Sequence, residues 1–274
     1  MFQPAVKWSG SKRSQAFSII KYFPSEMDTY YEPFCGGCSV LRALLSSEIK
    51  VKQYVCSDLN RDLINLWNEI KNNPSEAVFH YASLWRELNK DSDTDRKRSF
   101  FESVRERLNK EHNPLDFLFI MRTTTQGMPR YNQKGEFNNS FHITRNGIEP
   151  FRLEPVIKEW SDYLNRFNVQ FVCRSFEEVI PSENDFIYAD PPYVSTNGMY
   201  FGSFNIEKFF KWLENISCRY VFSFNGKVKD VDQTYDVPKS LYSQHIYLYS
   251  GKSSFRRIVN SSKDSEVYES LYIK

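Results

Sequence analysis

The sequence lacks the features of membrane and secreted proteins. It contains no run of 18 apolar residues among its 274, which excludes an ordinary transmembrane helix. Its N-terminal residues lack the apolar stretch of a signal peptide. We therefore expect a cytoplasmic protein without a membrane partner. A chain of this length buries one large core, or a core that carries an insert.

Cysteine and histidine are few and scattered. The five cysteines are an odd number in apolar surroundings, which favours reduced, buried thiols over a disulfide framework. Cys35 and Cys38 form one CxxC motif, for which a redox or zinc site is the alternative interpretation. Because no second CxxC is present and the four histidines are far apart, we expect no metal.

The net charge of +2 is too small to indicate a nucleic-acid partner by itself, so the local distribution of charge has to be examined. Aromatic residues make up 16% of the chain. Most are expected in the core, although flat side chains also stack on unpaired bases.

Two β-α units open the chain. A short aromatic run over 29–34 is followed by a glycine turn and a helical pattern, and a second strand over 53–57 ends at Asp58 before another helix. Successive β-α units predict a parallel sheet. The pattern changes to charged helices over 70–115 and to a polar loop with a hairpin over 120–147.

The β-α alternation then resumes. We predict a helix over 153–167, strands over 169–173 and 185–189, a helix around 209–213, and strands over 220–224, 245–249 and 267–273. The sequence therefore predicts an α/β core, residues 1–61 and 147–274, interrupted by an insert, residues 62–146.

Three strand ends carry residues suited to chemistry, because ligands of open α/β sheets bind at the carboxyl ends of strands. In Phe34-Cys-Gly-Gly-Cys-Ser39, small residues allow close approach and the following helix N-terminus favours an anion. Asp58 is placed to accept hydrogen bonds from ribose hydroxyls. A structural turn and an exposed acid explain these two features equally well.

The third strand end, Asp190-Pro-Pro-Tyr193, is the most specific. Its two prolines lack N–H groups, so the carbonyl between them is a bare acceptor beside the Asp190 carboxylate. Two acceptors grip an exocyclic amine while the Tyr193 ring stacks on its base. A rigid surface turn is the alternative, but the other two strand ends favour the amine site.

Nearly the whole chain resembles the Dam-like DNA adenine methyltransferases. The segments that carry the resemblance are Lys7-Trp-Ser-Gly-Ser-Lys12, Glu32-Pro-Phe-Cys-Gly-Gly-Cys-Ser-Val40, Ser57-Asp-Leu-Asn60 and Asp190-Pro191-Pro192-Tyr193. The resemblance implies a Rossmann-like class I methyltransferase fold, with a mainly parallel sheet flanked by helices and a helical and hairpin target-recognition insert. It also implies methyl transfer from S-adenosylmethionine to the N6 amino group of adenine in double-stranded DNA, by base flipping and direct in-line transfer. A cognate restriction endonuclease acting separately is compatible with it.

The resemblance also assigns site residues. The catalytic ones are Asp190, Pro191, Pro192 and Tyr193, and the cofactor-binding ones are Lys7, Trp8, Gly10, Lys12, Phe34, Gly36, Asp58, Ser175, Phe176 and Asp190.

Segment 130–138 resembles the recognition hairpin of the family, in which an arginine reaches a guanine edge. Two basic segments supply the expected DNA-contacting residues Arg122, Gln126, Arg130, Asn132, Lys134, Lys252, Arg256 and Arg257. Solvated surface loops would also explain both segments.

Several positions depart from the family pattern. Cys38 replaces the second turn glycine, Gln126-Gly127 stands where Asn-Gly is expected, and Ser140-Phe-His142 replaces a Pro-x-Gly. The sequence therefore does not predict which DNA sequence the protein recognises, and these differences argue against the sequence GATC. Cytosine amino-methylation, RNA adenine methylation and a non-catalytic DNA-binding module are the alternative functions; the intact segments 7–12 and 190–193 argue against the last.

Overall fold

The structure is a computed structural model that describes residues 2–144, 146–192, 204–228, 231–252 and 266–274. The predicted site residues Tyr193, Arg256 and Arg257 lie outside these ranges, as do the side chains of Gln126 and Lys252. The helices are α1 (Ala16–Ile19), α2 (Ser39–Leu44), α3 (Arg61–Asn72), α4 (Pro74–Leu88), α5 (Thr94–Glu111), α6 (Pro114–Thr123), α7 (Pro150–Arg166) and α8 (Ile206–Glu214). The strands are β1 (Glu26–Glu32), β2 (Lys50–Asp58), β3 (Gln170–Cys173), β4 (Phe186–Ala189), β5 (Arg219–Val228), β6 (Val231–Asp232), β7 (Gln244–Lys252) and β8 (Glu266–Ile273).

The chain divides into two compact units. The described part of the first unit is residues 2–11 and 57–174, and that of the second is residues 12–56, 175–192 and 204–274, with the gaps given above. These boundaries differ from the predicted functional ones, because residues 2–11, α7 and β3 cluster with the insert. The reason is packing: α7 lies against α3 and α4, and the Trp160 indole of α7 donates to the Gln3 carbonyl (2.8 Å).

The sheet of the second unit has the strand order β2-β1-β4-β5-β8-β7. Strands β2, β1, β4 and β5 are parallel, whereas β8 is antiparallel to both β5 and β7. The chain passes from β1 to β2 on one side and later returns to β4 on the other side. The order of strands therefore reverses between β1 and β4, the place where α/β sheets bind ligands. The predicted α/β class is confirmed, with antiparallel strands at one edge.

Strand β4 lies in the middle of this sheet, and its sequence explains why. All four of its residues are buried, and a continuous apolar run is typical of a parallel strand covered on both faces. Its one polar side-chain group, the Tyr188 hydroxyl, is hydrogen-bonded to the Ser223 hydroxyl of β5 (2.8 Å). Helix α8 covers the sheet through Phe209, which contacts the Phe222 ring. This packing fixes the position of the residue that follows β4, Asp190.

The first unit is helical, as predicted for residues 70–115. Helix α6 packs against α3, α4 and α5 and is buried around nearly its whole circumference, as expected for an apolar central helix. The prediction of a loop from residue 120 is wrong at its start, since α6 continues to Thr123. Pro114 and the Asn113 cap begin this helix, and buried Ile120 and Met121 extend it.

Within the described ranges, no helix combines the length and the apolar character needed to span a bilayer. The five cysteines are all free thiols, four of them buried and Cys173 exposed. Four of the five cysteines therefore match the expectation of buried thiols, while Cys173 departs from it.

Candidate functional site

An ion pair stands at the carboxyl end of β4. The Lys12 ammonium lies 2.7 Å from Asp190 Oδ2 and 3.2 Å from Glu269 Oε2 of β8. Lys12 is 5% exposed and Asp190 19%. Burial lowers the pKa of Lys12, but Asp190 and then Glu269 raise it more, so the net pKa lies above the ordinary value. Lys12 is therefore a permanent cation beside Asp190.

Glu269 was not among the predicted site residues. The Ser250 hydroxyl of β7 donates to Glu269 Oε1 (2.9 Å), while the other oxygen of the carboxylate faces Lys12. The available signal was an acid in the interior of a largely apolar strand, where a charge needs a partner. The identity of that partner depends on strand pairing that local sequence does not show.

A second buried acid follows β1. Glu32 is 3% exposed, accepts a hydrogen bond from the Tyr30 hydroxyl (2.6 Å) and receives the Leu41 N–H of α2. Burial raises the pKa of Glu32 to about 8, although these two hydrogen bonds lower it in part. We expected the N-terminus of α2 to favour a ligand anion. The Leu41 N–H at the start of this short helix is thus bonded to Glu32, and the binding of a ligand anion there stays a prediction.

The turn after β1 keeps a glycine-like backbone despite Cys38. Gly36 has a φ of 44° and Cys38 a φ of 51°, and the Cys38 N–H donates to the Cys35 carbonyl (2.7 Å). The left-handed conformation is the one that favours glycine, and Cys38 adopts it. The Cys38 thiol interacts with those of Cys35 and Cys56, and burial raises the pKa of Cys38. A protonated, buried thiol is a poor nucleophile and metal ligand.

Two predicted cofactor residues of the second unit contact each other. The Phe34 and Phe176 rings are 5.3 Å apart at 32°. Phe176 is only 6% exposed and packs on Phe209 and Trp212, whereas Phe34 is half-buried. Ser175 caps the turn that follows it, with its hydroxyl accepting the Glu177 N–H (3.3 Å). Phe34 is thus the more exposed of the two rings.

In the first unit, Asp58 stands where β2 ends and is half-buried. Its carboxylate accepts the Asn60 N–H (3.0 Å) and its carbonyl accepts the Arg174 N–H (3.2 Å). Asn60 caps α3 by accepting the Leu63 N–H (3.1 Å) and also donates to the Tyr131 hydroxyl (2.7 Å). Asn60 is a further residue that we had not assigned to the site.

The segment with Lys7, Trp8 and Gly10 also belongs to the first unit. The Ser9 N–H donates to the Gly127 carbonyl (2.9 Å). Gly127 has a φ of 64°, and a Cβ atom there would lie 2.7 Å from Lys7 Cγ. Position 127 therefore requires glycine for two reasons, its positive φ and the lack of space for a Cβ atom beside Lys7. Lys7 and Trp8 are partly exposed and Gly10 is exposed.

The predicted hairpin is present. Tyr131 bridges Phe137 and Thr124 bridges Phe141, both in antiparallel register. Arg130 and Lys134 are exposed. Asn132 instead organises the turn: its Oδ1 accepts the N–H groups of Lys134 and Glu136, and its Nδ2 donates to the Glu136 carboxylate (2.8 Å). Asn132 therefore has a structural role in the turn, and its DNA contact stays a prediction.

Arg122 also requires a correction. Its guanidinium donates to the carbonyl of Pro4 and to that of Ala5 (2.6 Å), and burial lowers the pKa of Arg122 to about 10. The side chain extends from the last turn of α6 into the protein. It holds the N-terminal segment, and we remove it from the expected DNA-contacting set.

A switch point in a mainly parallel sheet, flanked by Asp190 and by a tight turn with positive φ, is the place where open α/β proteins bind their ligands. The chain belongs to the family of D12 class N6 adenine-specific DNA methyltransferases, whose model matches residues 8–262.

Curated relatives support this assignment. The type II methyltransferase M.MjaIII of Methanocaldococcus jannaschii is 32% identical, over 71% of this chain and 70% of its own. M.CviBI of Paramecium bursaria Chlorella virus NC1A is 26% identical over 91% and 94%. A DNA adenine methylase of Vibrio cholerae is 30% identical over 69% of this chain and 64% of its own length. The chain is thus similar to type II methyltransferases and to a DNA adenine methylase.

Proposed function

We propose that the protein transfers a methyl group from S-adenosylmethionine to the N6 amino group of adenine in double-stranded DNA, with the target base flipped out of the helix. The ion pair between Lys12 and Asp190, directly before Pro191 and Pro192, is the observation that supports this most strongly. It places a carboxylate beside a fixed cation at the switch point of the sheet.

Asp190 and the Pro191 carbonyl are the proposed acceptors for the two amine hydrogens. The charge of Lys12 favours the ionised carboxylate, which only accepts hydrogen bonds. The prolines provide no competing N–H donors. The proposed stacking partner is Tyr193, which lies outside the described residues. Holding the amine in this geometry supplies orientation and stabilises positive charge that develops on nitrogen.

S-adenosylmethionine, when bound, supplies a methyl group already activated on a sulfonium, so direct transfer needs no covalent enzyme intermediate. The kinds of group present, a carboxylate, aromatic rings and a tight glycine turn, suit such a cofactor chemically. We propose Asp58 for the ribose hydroxyls, Phe34 with Phe176 beside the adenine, and the turn at Gly36 for close backbone approach. The other proposed cofactor residues are Lys7, Trp8, Gly10, Lys12, Ser175 and Asp190.

The hairpin supports DNA as the substrate. Arg130 and Lys134 are its exposed cations, and an arginine that reaches a guanine edge is the commonest specific base contact. We keep Gln126, Asn132, Lys252, Arg256 and Arg257 as proposed DNA contacts. A cognate restriction endonuclease, as the type II names of relatives suggest, is a proposed partner that acts separately.

The test is expression in a host without DNA methylation, followed by nucleoside mass spectrometry and sequencing of methylated sites. We expect N6-methyladenine at one short sequence with the wild type and no methylation with Asp190→Ala. Asp236→Ala, an exposed acid in the second unit, is the matched control and should keep full activity. Methylated cytosine or methylated RNA would replace the proposal with a rival substrate, and full activity of Asp190→Ala would refute the catalytic assignment.

A further inference from the structure

We propose that Asn60 and Tyr131 couple the cofactor site to the recognition hairpin, so that the Tyr131 hydroxyl is a positioning group for target recognition. This inference rests on the proposed function, in which Asp58 binds the cofactor ribose and segment 130–138 reads DNA. It assigns to the Tyr131 hydroxyl a role beyond packing in the core.

The connection is a short series of hydrogen bonds within the first unit. Asp58 Oδ1 accepts the Asn60 N–H (3.0 Å), and Asn60 Nδ2 donates to the Tyr131 hydroxyl (2.7 Å). Asn60 is 3% exposed and Tyr131 9%, so water does not easily replace the bond between them. Asn60 is also held as the cap of α3. A displacement of the Asp58 loop is therefore transmitted to the Tyr131 ring.

On the hairpin side, Tyr131 lies between Arg130 and Asn132. Its ring meets the Phe137 ring edge-on at 5.5 Å, and the Asn138 N–H donates to the Arg130 carbonyl (2.9 Å). Fixing Tyr131 thus fixes the backbone of the residue proposed to read a base. The position of Arg130 relative to DNA then depends on the Asn60 bond.

The opposite strand of the hairpin has its own anchor. Asn109 of α5 accepts the Phe137 N–H (2.7 Å) and donates to the Phe137 carbonyl (3.0 Å). Phe137 is thus hydrogen-bonded to α5, whereas Tyr131 is connected through Asn60 to Asp58. Loss of the Tyr131 bond should therefore alter one strand of the hairpin without unfolding the turn.

A phenylalanine would satisfy the packing of Tyr131 but not the bond to Asn60. Burial raises the pKa of the Tyr131 hydroxyl, so the group stays neutral and keeps its hydrogen bond at physiological pH. When the cofactor engages Asp58, the ordering of Asn60 and Tyr131 favours the DNA-reading conformation of Arg130. By linkage, cognate DNA must then tighten cofactor binding by the same factor.

The experiment compares Tyr131→Phe and Asn60→Ser with the wild type. Serine keeps the cap of α3 but lacks the amide donor. Tyr81→Phe is the matched control, because Tyr81 is a buried tyrosine of the same unit whose hydroxyl bonds the Ile148 backbone (2.8 and 2.9 Å). The probe is S-adenosylhomocysteine, which cannot react. Its Kd is measured calorimetrically without DNA, with a duplex carrying the methylated sequence, and with a duplex altered at one base.

We expect cognate DNA to tighten S-adenosylhomocysteine binding to the wild type and to Tyr81→Phe by the same factor. In Tyr131→Phe and Asn60→Ser that factor should fall about two- to tenfold, the size of one hydrogen bond. The double variant should match the single variants, because both remove one bond. Retention of the full factor in Tyr131→Phe, or an equal loss in Tyr81→Phe, would overturn the inference. A wild type that binds no S-adenosylhomocysteine or methylates no DNA would instead refute the proposed function.

Discussion

Lys12 Nζ lies 2.7 Å from Asp190 Oδ2, and the same ammonium lies 3.2 Å from Glu269 Oε2. One nearly buried cation therefore holds two carboxylates that come from different parts of the chain. Removing a partner from such a group leaves uncompensated charge in a poorly solvated place. The proposed acceptor for the substrate amine thus depends on a residue near the N-terminus and on a strand at the C-terminus.

Lys12→Met should lower the free energy of unfolding by about 3 kcal/mol, because Asp190 and Glu269 would then face each other without a cation. Methyl transfer should fall below detection. Urea denaturation and methyl incorporation into DNA measure the two effects. Adding Glu269→Gln to Lys12→Met should restore part of the stability but no activity. Unchanged stability of Lys12→Met would show that the ion pair contributes nothing.

Glu32→Gln should change the pH dependence of stability. The pKa of Glu32 is raised in the folded protein from its ordinary 4.5 to about 8. The free energy of unfolding is therefore highest below pH 4.5, where Glu32 is protonated in both states, and it declines as the pH rises towards 8. The limiting slope is about 1.4 kcal/mol per pH unit. Denaturation curves from pH 5 to 9 should show a smaller decline for Glu32→Gln than for the wild type. Parallel curves would contradict the raised pKa.

Arg130→Met and Arg122→Met should separate DNA recognition from folding. Arg130 is exposed, so its loss should weaken cognate DNA binding about tenfold and relax one base position, with unchanged stability. Arg122 bonds the carbonyls of Pro4 and Ala5, so its loss should reduce the free energy of unfolding by about 2 kcal/mol. Fluorescence anisotropy with labelled duplexes and urea denaturation test this contrast; a stability loss confined to Arg130→Met would reverse the assignments.

Asp116→Asn should destabilise the first unit. The Asp116 carboxylate is fully buried and accepts two bonds from Arg107 (2.6 and 2.7 Å) and one from His80 (2.7 Å). We expect a loss of about 2 kcal/mol, less than for a fully buried pair because Arg107 reaches water. Glu154→Gln breaks the exposed pair with Lys158 and should cost below about 0.5 kcal/mol. Equal effects of the two variants in denaturation would show that burial is irrelevant here.

Local patterns predicted most of the elements. Strand β4, the helices of residues 70–115 and the late strands follow from apolar periodicity and caps, which depend on near neighbours. The start of the hairpin loop was misplaced because the apolar helix α6 extends through Thr123. The wrong role predicted for Arg122 followed from the same error. An arginine in a polar loop and one at the end of a buried helix look alike in sequence.

The sequence alone determined the Asp-Pro-Pro segment that begins at Asp190, the turn around Gly36, the position of Asp58 and the presence of a hairpin. These features are motifs of adjacent residues, and short-range chemistry specifies them. Only the tertiary structure decided that Lys12 is shared by Asp190 and Glu269, that Glu32 meets α2, and that Asn60 reaches Tyr131. These pairs are distant along the chain, and strand order and helix packing decide which charges and hydrogen-bonding groups meet.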